Sequence, residues 1–287
     1  MAWGDYHFGH SLAKAFESLG VKARVVYQPR WSRLARLSLR RGIDLAIRGN
    51  FGYAPRIWPW VRFYLWVISY DNFRPEEVRA IRHVFAASQQ IVDEQRALGR
   101  SASVLPQCTD SAIFAPDKAR DTLVTDVLFV GSWREHFPRP IVATATAAGF
   151  PPKVWGSRWS DKYPPELFGG ALIPNHELGA HYASAKVVLN DHLPQMLAKG
   201  IISNRVYDVL ASGTELVSDA LPDLGRDLPG AALGRTTAEV GAAIAEALAH
   251  DETRKSDRLE LAEYIRTHHS FHERARDILA VINAKSA

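Results

Sequence analysis

The sequence lacks the features that define several large classes of protein. Its 287 residues include one cysteine, Cys108, which excludes an internal disulfide and a thiolate zinc cluster and indicates a reducing compartment. No run approaches the ~20 apolar residues of a membrane-spanning helix. The first residues, MAWGDYHFGHS, lack the basic and then apolar order of a secretory signal. We therefore expect a cytoplasmic protein.

Patterns typical of metal sites, repeats and nucleic-acid binding are also missing. No spacing of His, Asp and Glu suggests a dedicated metal site, so neither a metal nor another cofactor is predicted. There is no internal repeat and no low-complexity segment. The formal net charge of +4 is a mild excess that suits anionic ligands or surfaces. Because the charge is mixed and no binding motif is present, nucleic acid is not an expected partner.

The sequence does have the composition and pattern of an α/β protein. Hydrophobic residues make up 47% and charged residues 23%, as in soluble globular proteins, and the length suffices for two domains. Apolar runs typical of buried strands alternate with helical patterns, which favours parallel sheets covered on both faces. The strand-like runs are 23–27, 43–48, 63–69, 83–88, 102–106, 126–132, 153–157, 171–174, 186–191, 214–220 and 231–234. The main helical patterns are 10–20, 139–149, 176–185, 237–249, 252–267 and 270–284.

A break in this alternation predicts the domain boundary. Residues 109–125 indicate a linker between a first domain, 1–108, and a second, 126–268. In the first domain a helix precedes the first predicted strand, so the opening strand is expected to be missing or reduced to a stub at Met1–Trp3. Ligands are expected at the carboxyl ends of the strands and in the cleft between the domains.

The stretch Gly200–Asp219, GIISNRVYDVLASGTELVSD, predicts a loop, a short helix, a tight turn and a buried strand. Ser203 has the short oxygen side chain that caps a helix start, and Gly213 has the backbone freedom that a helix stop needs. The helix face expected to pack on the sheet carries Val206, Val209 and Leu210. This stretch is the natural place for a ligand in the second domain.

The polar side of the same helix has two possible roles. Asn204 and Asp208 lie together on it, four residues apart. The free N–H groups at 203–206, with Arg205 and the helix dipole, would hold an anion, and Asp208 would accept hydrogen bonds from a diol such as ribose. The same residues also fit an ordinary βα unit in which Arg205 and Asp208 form a solvated pair. The pattern alone leaves both roles open.

Several segments together resemble a known family. They are PQCTDSAIFAP, DVLFVGSWRE, VWGSRW, HELGAHYASAKVVLN, SNRVYDVLASGTELVSD and, in the first half, GHSLAKAFESLG. Taken in chain order, these segments resemble the glycosyltransferases of the GT-B fold, and within them the CgeB-like group of the group-1 enzymes. The resemblance covers nearly the whole chain. It implies two Rossmann-like parallel-sheet domains facing a central cleft, with a last helix, 269–287, that crosses back toward the first domain.

The resemblance also implies transfer of a sugar from a nucleotide diphosphate-sugar to an unidentified acceptor, without a metal. The donor would be held by Gly131, Ser132, Arg134, Trp155, Asn190, Asn204, Arg205 and Asp208. Asp208 stands where the family usually has Glu, and Gly200 stands where many members have a second Glu, so the sugar and the stereochemical outcome are open. The alternatives are a nucleotide-sugar epimerase, a sugar phosphorylase, or a non-catalytic module that binds sugar nucleotides or glycans.

Some of these residues also have an ordinary structural interpretation. Gly131, Ser132 and Arg134 would equally suit a βα turn with a surface arginine. Trp155 and Trp159 would flank a nucleobase or fill the core, since aromatic residues beside a strand commonly do the latter. In the same way, an asparagine at a strand end commonly forms a turn, and Asn190 fits that role too.

Candidates on the acceptor side lie in predicted loops of the first domain. Asp71 or His7 would act as a general base on an acceptor hydroxyl, with His10 nearby. Two further histidines, His176 and His192, are possible contacts for donor phosphate, and the sequence does not rank them.

A basic stretch, PRWSRLARLSLRR at 29–41, interleaves arginines with leucines. It would lie on an anionic membrane surface or receive an acidic acceptor. The alternative is a solvated helix face over the first sheet.

Overall fold

The computed structural model describes residues 3–25, 43–48, 62–69, 81–221, 224–228 and 230–284. The chain forms two compact units, neither of which is one continuous segment. The first unit consists of Met1–Gln107, Pro194–Ser203 and Phe271–Ala287, and the second of Cys108–Leu193 and Asn204–Ser270. Each unit contains a parallel β-sheet, so the predicted α/β class with two parallel-sheet domains is confirmed.

The first unit has a four-stranded parallel sheet in the order β1-β2-β3-β4. Its strands are β1 (Ile43–Arg48), β2 (Arg62–Val67), β3 (Ile81–Ala86) and β4 (Ala102–Val104). Its helices are α1 (Trp3–Ser18), α2 (Gln89–Ala97), α5 (Pro194–Lys199) and α10 (Phe271–Ala284). From Phe63 to Val67 every side chain of β2 is buried, as expected for a strand covered on both faces.

Aromatic packing joins α1 and α10 to this sheet. The ring of Phe8 on α1 lies 5.1 Å from Trp66 of β2 and 4.7 Å from Phe271 of α10, measured between centroids. Trp66 also donates its indole hydrogen to the carbonyl of Leu105 at 2.9 Å. The first and last helices are therefore parts of one hydrophobic core.

The second unit has a six-stranded parallel sheet in the order β10-β9-β8-β5-β6-β7. The strands are β5 (Thr125–Val130), β6 (Lys153–Trp155), β7 (Phe168–Gly170), β8 (Ala185–Asn190), β9 (Glu215–Asp219) and β10 (Ala231–Gly234). The helices are α3 (Pro140–Ala147), α4 (Asn175–Ser184), α6 (Asn204–Ala211), α7 (Leu224–Asp227), α8 (Thr237–Ala249) and α9 (Lys255–His268).

The strand order of the second unit fixes where a ligand would bind. From β5 the chain builds β6 and β7 on one side, and then returns to build β8, β9 and β10 on the other. The order therefore reverses between β5 and β8. In open parallel sheets, ligands bind beyond the carboxyl ends of the strands at this kind of reversal.

Three local predictions were wrong. Residues 171–174 are not a strand, since the edge strand is Phe168–Gly170. Its glycines made it hard to recognise, but they are needed, because a Cβ on Gly169 or Gly170 would collide with the indole of Trp155. The first helix begins at Trp3 rather than near residue 10, so the glycines of its first half do not form a loop. Residues 21–25 have no regular secondary structure, and the rest of the strand predicted at 23–27 lies outside the described residues.

Candidate functional site

Residues beyond the carboxyl ends of β5, β8 and β9 form a cluster of charged and polar side chains. These strands are neighbours in the sheet and end at Val130, Asn190 and Asp219. Since parallel strands end at the same edge, the residues that follow them come together there. The helix α6 also begins in this region, with Arg205 in its first turn.

A buried ion pair between Arg139 and Asp191 is at the centre of the cluster. Arg139 Nη1 lies 2.8 Å from Asp191 Oδ1, and the two side chains are only 7% and 2% exposed. Arg139 Nε donates to the carbonyl of Ser132 at 2.9 Å. Burial lowers the pKa of Arg139 to about 10, which leaves the guanidinium charged at neutral pH. Burial raises the pKa of Asp191, and the neighbouring arginines oppose that rise.

Arg205 adds a second positive charge to the same carboxylate. Its Nη1 donates to Asn190 Oδ1 at 3.0 Å and lies 3.8 Å from Asp191 Oδ1. Both guanidinium groups lie over the ring of Phe129, at 5.2 Å for Arg205 and 5.6 Å for Arg139. Two guanidinium groups therefore share one buried carboxylate.

Gly131 leaves room beside these two guanidinium groups. A Cβ at this position would lie 3.1 Å from Arg205 Nη2 and 3.2 Å from Arg139 Nη2. The backbone of Gly131 is held on both sides, because its N–H donates to the Trp155 carbonyl at 2.8 Å and its carbonyl accepts from Trp159 Nε1 at 2.7 Å. The absence of a side chain lets a ligand approach both arginines closely.

The structure places the other residues predicted in this loop nearby. The hydroxyl of Ser132 accepts a hydrogen bond from Ser157 Oγ at 2.9 Å. Arg134 forms a bridge with Phe137, and its charge contributes to the lowered pKa of Arg139. This loop is therefore more than a surface turn, because the loop lies next to the buried charge of Arg139.

Asn190 orients Arg205 and does not form a turn. It is the last residue of β8, is fully buried, and donates from Nδ2 to Ser218 Oγ at 2.8 Å while its Oδ1 accepts from Arg205. Arg205 pairs with Asp191 and Asn190, so the solvated hydrogen-bonded pair of Arg205 with Asp208 is not found.

Asp208 is buried on α6, although the sequence placed it on a polar face apart from the packing face. Its Oδ1 accepts from Thr109 Oγ1 at 2.8 Å, and its Oδ2 accepts from Asn204 Nδ2 at 3.1 Å. Burial raises its pKa well above the usual value, and the hydrogen bond from Thr109 acts in the opposite direction. The expectation that this position is remote from packing was wrong because the segment that carries Thr109 covers it. The predicted helix stop at Gly213 is present, with φ of 72°.

The two tryptophans have different surroundings. Trp155 lies at the end of β6 against Gly169 and Gly170, with His181 of α4 at 5.1 Å between ring centroids, and it stays partly accessible. Trp159 is 3% exposed and packs against Phe129, so it belongs to the core and does not flank a ligand.

The remaining candidates are dispersed. His7 is on helix α1 instead of in a loop, and burial, helped by His10, lowers its pKa. Asp71 and the basic stretch 29–41 lie outside the described residues. The His176 side chain is 77% exposed, whereas His192 is fully buried at the end of β8.

Some residues of the cluster were not predicted from the sequence. They are Arg139, Asp191, Asp219 and, behind α6, Thr109. The signal that was available for Asp191 is the polar run Asn-Asp-His directly after an apolar strand. For Arg139 there was no comparable signal, since its pairing depends on a segment 52 residues away.

A cavity of about 300 Å³ lies elsewhere, at the opposite edge of the second sheet. Glu215 and Ala231, the first residues of β9 and β10, line it together with Leu261 of α9. In the described part of the chain no group of three or more His, Cys, Asp and Glu side chains is arranged to hold a metal ion. No helix among those residues is both long and apolar enough to cross a membrane.

A family comparison decides which family the chain belongs to. The model of the family described as "Glycosyl transferase-like" matches residues 134–280, which is half of the chain and includes most of the cluster. The chain belongs to this family. No curated protein has a significantly similar sequence.

Solved structures of glycosyltransferases have the same fold. A glycosyltransferase from Rickettsia africae is similar with a TM-score of 0.66 and 10% identity, over 98% of this chain and 94% of that one. A T4 phage BGT mutant in complex with UDP-glucose gives a TM-score of 0.63 and 14% identity, over 93% and 92%. Anabaena HepE in complex with UDP gives 0.57 and 12%, over 78% and 72%. The two parallel-sheet units are those of the GT-B glycosyltransferases.

Proposed function

We propose that the chain is a glycosyltransferase that moves a sugar from a nucleotide diphosphate-sugar to an acceptor. The observation that supports this most directly is the pair of guanidinium groups, from Arg139 and Arg205, that share one buried carboxylate beside Gly131. A diphosphate bound there would be their missing counter-charge. The family and the fold of the chain agree with this chemistry.

The arginines would act on both binding and departure of the diphosphate. A guanidinium donates two parallel hydrogen bonds to phosphate oxygens, and such charge-assisted bonds are strong in a site that excludes water. When the bond to the sugar breaks, negative charge grows on the diphosphate, and preorganised positive charge stabilises that state. We propose that Arg139 and Arg205 take this part without a metal ion.

The nucleoside would extend from the diphosphate toward α6 and Trp155. Each carboxylate oxygen of Asp208 already accepts one hydrogen bond, and each keeps a second lone pair that would accept from a ribose hydroxyl. Asn204, which also contacts Asp208, lies at the start of the same helix. The partly accessible face of Trp155 would stack on the base.

The ligands of two similar structures support a nucleoside diphosphate donor. The T4 phage protein is in complex with UDP-glucose, and Anabaena HepE is in complex with UDP. Membership of the CgeB-like group, a cytoplasmic location, a general base at Asp71 or His7, and contact of residues 29–41 with an anionic membrane stay predictions.

Calorimetric titration with UDP, GDP, ADP and dTDP tests the proposal. At least one of these nucleotides should bind the wild type. Arg205→Ala should lower the affinity for that nucleotide ten-fold or more, equivalent to ~1.4 kcal/mol. The matched control is Arg120→Ala, because Arg120 is also paired with a carboxylate, Glu177, but on the surface. Equal affinities in the wild type and both variants would contradict the proposed site.

Hydrolysis of the matching nucleotide-sugar in the absence of acceptor then separates the alternatives. A transferase should release free sugar slowly, because water takes the place of the acceptor. Reversible isomerisation of the sugar would indicate an epimerase instead. Binding with no turnover in the presence of a broad acceptor set would indicate a binding module.

A further inference from the structure

His192 is held at two points by a single carboxylate. Its side chain is fully buried, two residues beyond the end of β8. Its backbone N–H donates to Asp219 Oδ2 at 2.8 Å, and its ring Nδ1 lies 2.6 Å from Asp219 Oδ1. Since a carboxylate accepts hydrogen bonds, this contact places a proton on Nδ1.

The other ring nitrogen, Nε2, is buried, and in the described part of the chain it has no hydrogen-bond partner. Buried polar atoms are nearly always paired in folded proteins, and an exception calls for a ligand or a bound water. The contact with Asp219 fixes the ring, so Nε2 is held in one direction.

The location of His192 connects it to the arginine cluster. β8 lies between β9 and β5, so the residue shares its sheet edge with Gly131. Asn190 lies between His192 and Arg205, because its Nδ2 is 3.4 Å from His192 Nδ1 and its Oδ1 accepts from Arg205.

We propose that His192 is a further ligand of the donor's diphosphate, donating Nε2–H to a phosphate oxygen while Asp219 holds the ring. This inference depends on the proposed function. To donate from Nε2 while Nδ1 donates to Asp219, the ring must carry a hydrogen on both nitrogens when phosphate is bound, and it then lies between two anions.

Two substitutions separate contact with phosphate from contact with Asp219. The amide nitrogen of Gln reaches about as far as Nε2, and that of Asn about as far as Nδ1. His192→Asn therefore keeps a donor for Asp219 but loses the donor for phosphate, whereas His192→Gln does the reverse. His250→Asn is the control, because His250 is exposed at the end of α8.

Calorimetric titration with inorganic pyrophosphate, which has no base, measures the effect. We expect His192→Asn to bind at least ten-fold more weakly, and His192→Gln and His250→Asn to bind within a few-fold of the wild type.

Each outcome decides the inference. If the wild type binds pyrophosphate but His192→Asn binds equally well, the inference is overturned and the proposed function stands. If neither pyrophosphate nor any of UDP, GDP, ADP and dTDP binds the wild type, the proposed function fails as well. Thermal unfolding checks that each variant is folded. Should His192→Asn not fold, nitrogen-15 NMR of the wild type decides alone, because the Nε2 resonance of His192 should move when pyrophosphate is added and an unchanged resonance overturns the inference.

Discussion

Thr109 donates its hydroxyl hydrogen to Asp208 at 2.8 Å, although the two residues are 99 positions apart in the chain. Thr109 is fully buried and Asp208 is 5% exposed. The bond joins the segment that opens the second unit to helix α6, which carries Arg205 at its start. The position of helix α6, and of Arg205 on it, therefore depends on a contact with a segment remote in the chain.

Removing that contact should destabilise the protein. Thr109→Val keeps the shape of the side chain but leaves the buried Oδ1 of Asp208 without its donor, so the free energy of unfolding should fall by ~1–3 kcal/mol. Thr267→Val is the control, since Thr267 is exposed and its hydroxyl donates to the exposed Glu263, and its effect should stay within ~0.5 kcal/mol. Urea unfolding at equilibrium measures both. Similar losses of unfolding free energy in the two variants would show that the buried hydrogen bond stabilises the protein no more than the exposed one.

The raised pKa of Asp208 makes a prediction about pH. Its folded-state pKa lies above the unfolded value, so the folded protein binds the extra proton and stability is lost as pH rises from about 4 upward. Asp208→Asn removes this loss, because an amide carries no charge and can still pair with Thr109 and Asn204. The variant should gain stability relative to the wild type with increasing pH, by at most ~1.4 kcal/mol per pH unit.

Urea unfolding of the wild type and Asp208→Asn between pH 4 and pH 7 tests this gain. A constant difference over that range would show that Asp208 has an ordinary pKa in the folded protein. If Asp208 also binds ribose, the same variant should bind nucleoside diphosphates more weakly, while pyrophosphate affinity stays nearly unchanged.

The buried and the exposed arginine pairs should differ strongly in their effect on stability. Arg139→Met leaves Asp191 buried without its main counter-charge, which should cost ~3–5 kcal/mol. Arg120→Met breaks the ion pair with Glu177, in which the Arg120 side chain is 52% and the Glu177 side chain 32% exposed. This substitution should lower the free energy of unfolding by no more than ~1 kcal/mol. Chemical unfolding measures both. A small effect at Arg139 would mean that Arg205 alone neutralises Asp191.

Gly131→Ala should weaken anion binding. The added methyl group would lie 3.1 Å from Arg205 Nη2 and 3.2 Å from both Arg139 Nη2 and the ring of Phe129, so the two guanidinium groups must shift. Their displacement should lower the affinity for pyrophosphate several-fold. Gly225→Ala is the control, because among the described residues its methyl group would meet Leu233, at 3.4 Å. Unchanged affinity in Gly131→Ala would place the ligand away from this loop.

The elements best predicted from the sequence are those with local start and stop signals. The strand Ala231–Gly234 and the helix Thr237–Ala249 occur where their patterns predict them, and the helix begins with a capping box of Thr236 and Glu239. The edge strand at 168–170 was missed for the opposite reason. Its glycines leave room for the indole of Trp155, and the local sequence does not reveal that contact.

The site was predictable where a strand end exposes polar residues, and not where burial depends on remote segments. Gly131, Asn190 and Arg205 were recognised because they follow or flank buried strands, and the structure brings them together. The burial of Asp208 depends on Thr109, and that of Asp191 depends on Arg139. Pairings of this kind are decided by tertiary structure, so neither hydrophobic periodicity nor the charge pattern indicates them.

The discontinuous first unit has a consequence for synthesis of the chain. Phe8 of α1 packs against Phe271 of α10, yet every residue of the second unit is translated between them. On the ribosome the first helix can meet Trp66 early, but the part of its apolar face that Phe271 covers must wait until α10 has emerged. The second unit completes earlier, at Ser270, so the half that is made first is the last to finish folding.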